Sequence, residues 1–345
     1  MKTKAAVLYS INKELQIEEL EIPKLKPGQV LVKIAYSGVC HSQLNEIKGL
    51  KGEDKFLPHT LGHEGSGVVE AVSTGVKKVK EGDKVVLTWI KGTGADVPAT
   101  LYKRKDKSIV NSGAISTFMT RAIISENRLV KIPDEMPLRE AVLLGCAIPT
   151  GAGIVMNTAK LSKGDTVAIF GIGGIGLSAL LASKLKQASL IIAVDIFDNK
   201  LEEALRLGAT YVINAEKEDV LSKILKITDN RGVDYAIECA GKKESMEIAF
   251  KSIRNNGGLC IIAGNLPCGK EISINPFDLI KGRHIIGTWG GETNPDRDIQ
   301  FYASLYLEKK LNLHLIPVSF FGLEQINLAV KSLENGNIGR AIIEY

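Results

Sequence analysis

The 345-residue chain is poor in cysteine, carries only a small charge excess, and has no short-period repeat or low-complexity tract. Each scarcity excludes a class. Its first apolar stretch, Ala5 to Tyr9, is too short for the hydrophobic region of a secretory signal, so a cytoplasmic location is expected. The two long uncharged stretches, Ala141 to Ala159 and Thr166 to Ser183, approach membrane-spanning length. The first is broken by Pro149 and Asn157 and the second by a glycine-rich loop, so both read as buried core and no membrane partner is expected. Lys and Arg number 44 against 39 Asp and Glu, a net +5 that falls short of the basic stripe a nucleic-acid binder needs. Five widely scattered cysteines, Cys40, Cys146, Cys239, Cys260 and Cys268, do not form a disulfide framework.

Within that frame the length predicts two domains. Up to about residue 90 short alternating runs such as AAVLYS, QVLVKIAYSG and DKVVLTW are broken by Gly and Pro, which predicts a mostly antiparallel, barrel-like region. From Thr166 the rhythm changes to all-apolar strands (TVAIF, LIIAVD, VDYAIECAG, LCIIAG) separated by amphipathic helices, the pattern of a parallel sheet covered on both faces. Residues 91 to 111 lack periodicity and read as an exposed excursion, whose basic run Lys103 to Lys107 is either a solvated face or a contact for an acidic ligand.

Strand TVAIF runs directly into Gly171, Ile172, Gly173, Gly174, Ile175 and Gly176 and then into the helix LSALLASKLKQ. Placed at a strand-to-helix turn, this G-x-G-x-x-G is a dinucleotide fingerprint. Gly171 allows the turn, Gly173 lets backbone approach a pyrophosphate, and Gly176 permits close packing of helix on strand. The next strand ends at Asp195, nineteen residues after Gly176, where a carboxylate suits ribose hydroxyls and repels a 2′-phosphate. NAD is therefore expected. Lys200 is too slight a sign of a 2′-phosphate site to reverse that choice, though it belongs with the cofactor-side residues.

Three further residues suggest a metal: Cys40 in SGVCHSQ, His63 in LGHEGSG, and Cys146 in LLGCAIPTG near the predicted domain junction. Two thiolates and an imidazole leaving a fourth position open would suit a catalytic zinc. Intervals of 22 and 82 residues do not by themselves distinguish that from buried, unliganded cysteines.

These motifs carry a resemblance. GVCHS at 38–42, GHEGSG at 62–67, GC at 145–146 with PTG at 149–151, GIGGIG at 171–176, VD at 194–195 and LRLGAT at 205–210 together resemble the zinc-containing medium-chain alcohol dehydrogenases, nearly end to end. The resemblance implies an α/β fold with a GroES-like β-barrel catalytic domain (1–148), a doubly wound Rossmann domain for NAD(H) (149–288), and a C-terminal return to the catalytic domain (289–345). It implies Cys40, His63 and Cys146 as ligands of one catalytic zinc with Glu64 beside it, and Ser42 as the hydroxyl relaying the alcohol proton. It likewise places His41, Thr150 and Arg340 on the cofactor, and Trp89 and Phe118 on the substrate pocket. The implied activity is hydride transfer between NAD and a primary or secondary alcohol, polyol or sugar-type alcohol, in a homodimer or homotetramer. The apolar stretch HIIGTW at 284–289 is the expected pairing edge. A zinc-free quinone or enone reductase of the same superfamily, or a non-catalytic dinucleotide-binding protein, are the rival readings.

Departures from the family pattern matter too. Residues 91–112 hold no cysteine, so no structural zinc is expected. Gln43 stands where an Asp commonly orients the zinc-binding histidine, Asn45 where some relatives place a relay histidine, and Ser73 where Gly or Ala usually closes the GHE motif.

Overall fold

The computed structural model describes residues 1–113, 115–336 and 339–345. The chain divides into two compact units, one discontinuous (Met1–Cys146 with Asn294–Tyr345) and one continuous (Ala147–Thr293).

In the discontinuous unit, Lys2–Leu8, Gln16–Glu21, Leu101–Lys103, Ile109–Asn111 and His59–Thr60 close into a small barrel. A larger sheet runs Leu129–Lys131, Lys84–Thr88, Glu64–Val72, Gln29–Val39, Arg340–Glu344, Val318–Gly322, with Arg121–Ser125 also paired to Gln29–Val39. Period-two alternation explains how the first strand serves two cores. Ala5 and Val7 enter the cluster of Val30, Val32, Val85, Leu87 and Tyr102, while Ala6 and Leu8 enter that of Val39, Leu61, Phe118, Ile326 and Ile343. Helix Ile326–Glu334 precedes strand Arg340–Glu344, which pairs in the larger sheet.

The excursion from residue 91 differs from its reading as wholly irregular. Its second half forms the barrel strands Leu101–Lys103 and Ile109–Asn111, too short at three residues each to show a period. The basic run turns between them, and two of its four basic side chains are paired. Arg104 reaches Glu18 and Asp106 and lies over the Tyr9 ring, and Lys107 pairs with Glu21.

The continuous unit carries a six-stranded parallel sheet in the order Tyr211–Asn214, Leu190–Asp195, Thr166–Phe170, Tyr235–Glu238, Leu259–Ile262, His284–Gly287. Thr166–Phe170 comes first in sequence yet lies inside the sheet, and the strands after it build outward on both sides. That makes its C-terminal end a topological switch point, the place where open α/β sheets bind ligands. His284–Gly287 is an edge strand, mostly exposed. The α/β two-domain architecture expected from the sequence is thus present. Among the described residues no single helix is long and apolar enough to cross a membrane.

Candidate functional site

Strand Gln29–Val39 delivers Cys40 to the start of helix His41–Ile47, and His63 immediately precedes strand Glu64–Val72. Cys146 follows the 3-10 turn Val142–Gly145. Their ligand atoms all lie within 4.8 Å of one another. Gln43 links two of them: its Oε1 accepts the Cys40 N–H at 2.9 Å, and its side-chain amide meets His63 Nδ1. That leaves His63 Nε2 buried with no hydrogen-bond partner. An orphaned imidazole nitrogen facing two sulfurs is costly unless something binds it, and a thiophilic, tetrahedral cation matches the donor set. The Cys146 S–H donates to Cys40 and holds the Cys40 thiol well below its usual range, against burial and with help from His63. The same bond, with burial, pushes the Cys146 thiol well up. A metal bound here would take both sulfurs as thiolates and release their protons.

Glu64, the residue after His63, is fully buried, with its carboxylate bonded to the guanidinium of Arg340. Glycines in the two cysteine motifs make room for it. A Cβ on Gly38 would stand 2.4 Å from Glu64 Oε1, and one on Gly145 2.8 Å from Glu64 Cβ. Burial pushes the Glu64 carboxyl up while Arg340 pulls it back. Arg340 stays charged because Glu64 and the two cysteines outweigh its own desolvation. The resemblance places Arg340 on the cofactor; the structure places it, 4% exposed, on Glu64. Ser42 is half-buried in the first turn of helix His41–Ile47, next to exposed His41. The Trp89 ring stands edge-on to His63, centroids 6.4 Å apart. Phe118, expected on a pocket wall, is committed to the core with Leu8 and Leu61.

A second group, Glu46, Asp54 and His59, also brings ligand atoms within 4.8 Å. It is already satisfied internally. His59 Nε2 meets Asp54 at 2.8 Å, His59 Nδ1 meets the Thr60 carbonyl oxygen at 3.2 Å, and Lys51 covers Glu46 at 2.9 Å.

In the continuous unit the fingerprint glycines do different work. Gly171 has φ +86° and would place a Cβ 2.7 Å from Ala240 N, and a Cβ on Gly176 would stand 2.0 Å from the Gly171 oxygen. At Gly173 a Cβ would meet nothing within 4 Å. Two glycines are thus required by the fold, and the third keeps open a cradle at the start of helix Gly174–Leu185, where Ile175 lies in the first turn. Asp195 ends its strand with Oδ2 accepting from Ile172 N at 2.6 Å and Oδ1 from Ile196 and Phe197 N–H, which pins the loop while leaving lone pairs for a further donor. Lys200 lies over the Phe197 ring, 4.8 Å from its centroid. Thr150, on helix Ala147–Gly153, has a buried hydroxyl with no partner.

Sequence reading missed Glu238, which ends the strand beside Thr166–Phe170. Its Oε1 accepts from Ala240 and Gly241 N–H, its Oε2 has no partner, and burial pushes the carboxyl up. A carboxylate closing an apolar strand beside a switch point was the available signal.

Comparison with known proteins gives matches over both units. Residues 26–134 match the family model for the alcohol dehydrogenase GroES-like domain, and residues 174–305 that for zinc-binding dehydrogenase. The chain is 34% identical to S-(hydroxymethyl)glutathione dehydrogenase of Komagataella pastoris, covering 99% of this chain and 97% of that protein. Among solved structures it is similar to an alcohol dehydrogenase zinc-binding domain protein from Burkholderia ambifaria, with TM-score 0.92, 32% identity and coverage of 100% and 99% of the two chains. It is also similar to benzyl alcohol dehydrogenase from Acinetobacter calcoaceticus, with TM-score 0.90, 30% identity and the same coverage.

Proposed function

The chain belongs to the zinc-type medium-chain alcohol dehydrogenase family, and from that premise we propose that it transfers a hydride between an alcohol and NAD at one catalytic zinc. The observation that carries the metal assignment is the orphaned, buried His63 Nε2 facing the sulfurs of Cys40 and Cys146. When bound, zinc supplies Lewis-acid polarisation of the alcohol oxygen and NAD the hydride acceptor.

The chain's own groups do the rest. Cys40, His63 and Cys146 hold the metal and leave one position for the alcohol. Gln43 fixes the His63 ring through Nδ1 and ties it to the Cys40 backbone, a link that matters because outer-shell partners set ring orientation. Glu64 and Arg340 hold the floor of the site. The Ser42 hydroxyl accepts the alcohol proton and hands it outward; with Asn45 in the neighbouring turn, the path continues through ribose and water. Gly171, Gly173, Gly174, Ile175 and Gly176 cradle the pyrophosphate, Asp195 receives the adenosine ribose, and His41, Thr150 and Lys200 complete the cofactor contacts. The substrate class is a primary or secondary alcohol, polyol or sugar-type alcohol, oxidised in the cytoplasm. The edge His284–Gly287, with Ile280 and Trp289 each 77% exposed nearby, supports pairing of two copies into a homodimer or a tetramer of such dimers.

Elemental analysis of protein purified without chelator, with Cys146→Ala alongside, tests this reading. It expects about one zinc per chain, lost in the variant, and NADH formation at 340 nm when an alcohol is supplied. Zinc-free protein, or zinc without NADH from any of a panel of alcohols, polyols and sugar derivatives, would overturn it.

A further inference from the structure

The stretch where the family resemblance leads one to expect a cysteine lobe poses a physical problem. Residues 89–97 connect strand Lys84–Thr88 to the barrel without secondary structure and without cysteine, yet their backbone N–H groups need partners. Two of them, Gly92 and Ala95, find acceptors on three consecutive polar residues, Glu126, Asn127 and Arg128, all buried in the 3-10 turn that follows strand Arg121–Ser125, and Arg128 serves a carbonyl of the same segment.

Each residue of this triplet does a separate job. The Glu126 carboxylate, 2% exposed, accepts from three backbone N–H groups: Lys77 at 2.5 Å, Lys78 at 2.7 Å and Ala95 at 2.8 Å. The backbone of Asn127 bonds the segment twice, its carbonyl accepting from Gly92 N–H at 2.8 Å and its N–H donating to the Ala95 oxygen at 3.1 Å. The Arg128 guanidinium donates to the carbonyl oxygen of Trp89. Outer contacts complete the strap. Asp296 accepts from both the N–H and the hydroxyl of Thr93 and pairs with Lys78, and the Ser125 hydroxyl bridges Val97 N–H and the Ala95 oxygen. Gly94, at φ +102°, lets the chain pass over Glu126, since a Cβ there would stand 2.8 Å from the Glu126 side chain.

We propose that Glu126, Asn127 and Arg128 form a metal-free clamp on residues 89–97, and that Arg128, through the Trp89 carbonyl, is a positioning residue that fixes the Trp89 ring beside His63 and so sets which alcohols the site admits. The specificity clause rests on the alcohol dehydrogenase reading; the clamp does not. Buried charged side chains are costly unless satisfied, and here Glu126 ties Ala95 to Lys77 and Lys78 while Arg128 holds the Trp89 carbonyl. The wall next to the candidate metal is therefore held from behind by a carboxylate and a guanidinium.

The test uses Trp89 as its own reporter, in a Trp289→Phe background that leaves it the sole tryptophan. Arg128→Met is expected to shift Trp89 emission to the red and to increase its quenching by acrylamide, with Arg128→Lys, which can still donate to the carbonyl, restoring both. With alcohols as substrates, Arg128→Met is expected to shift the ratio of KM values for benzyl alcohol and ethanol by about tenfold while kcat changes little. Unchanged emission and quenching in a folded Arg128→Met variant would overturn the clamp, whether or not the protein oxidises alcohols. Altered fluorescence with an unchanged KM ratio in an active enzyme would overturn the specificity clause alone. Should Arg128→Met fail to fold, hydrogen exchange on chelator-treated wild-type protein decides. Protected amides at Gly92 and Ala95, the two that the triplet accepts, support the clamp, and exchange at unprotected rates overturns it.

Discussion

At the scale of single residues, the pairing of Glu64 with Arg340 shows what sequence reading cannot reach. Both residues stood out as belonging to the site, but their bond spans 276 positions, and no local pattern encodes a contact across that distance. Gln43 is the opposite case. It stands where the family resemblance puts a residue that orients the metal-binding histidine, and its side chain does meet His63 while accepting from Cys40 N–H three positions earlier. The buried pair makes a direct prediction. Arg340→Met would leave the Glu64 carboxylate without its counter-charge in a dry site, and a destabilisation of about 3–5 kcal/mol is expected from urea unfolding. Pairing it with Glu64→Gln should recover much of that loss, because the stranded charge is then gone.

At the scale of elements, the strand-to-helix turn at Phe170–Gly176 was legible almost completely, since glycine spacing, an apolar strand and a terminal Asp coincide within one βαβ unit. Residues 91–111 were not, because short strands joined by a turn and an irregular strap carry no periodicity. Their order comes from partners far along the chain, such as Asp296 for Thr93. The glycine geometry separates folding from binding. Gly176→Ala forces a Cβ against the Gly171 oxygen and should lower the melting temperature of the protein. Gly173→Ala meets no protein atom within 4 Å, so the melting temperature should hold while NADH affinity, read by fluorescence titration, falls because the methyl group occupies the cradle.

At the scale of the whole molecule, several buried or half-buried carboxylates are bonded in ways that matter in acid. For Glu126, Asp83, Asp296 and Asp234, burial alone would raise the carboxyl. Hydrogen bonds from backbone and basic side chains outweigh it, and all four are held below their ordinary values. A carboxylate with a depressed folded-state value contributes stability that is complete above its unfolded value, about 4, and is lost as pH falls through the folded one. Glu238, pushed up by burial, works in the opposite sense, adding stability at low pH that is lost as pH rises. Glu64, also raised by burial, acts in the same sense as Glu238, but four groups outnumber two, so the protein is expected to lose stability below about pH 4, measured as a falling urea midpoint. A midpoint flat from pH 6 to pH 3 would contradict it.

The discontinuous unit has a temporal consequence. Strand Arg340–Glu344 lies between Gln29–Val39 and Val318–Gly322, so the sheet that carries Glu64 is completed only by residues that leave the ribosome long after Glu64 itself. Residues 147–293 emerge together and can fold as one piece during synthesis, whereas the first 146 must wait with an open sheet edge and a buried acid still lacking its cation. For that interval the nascent N-terminal segment is the part of the chain with most need of a chaperone.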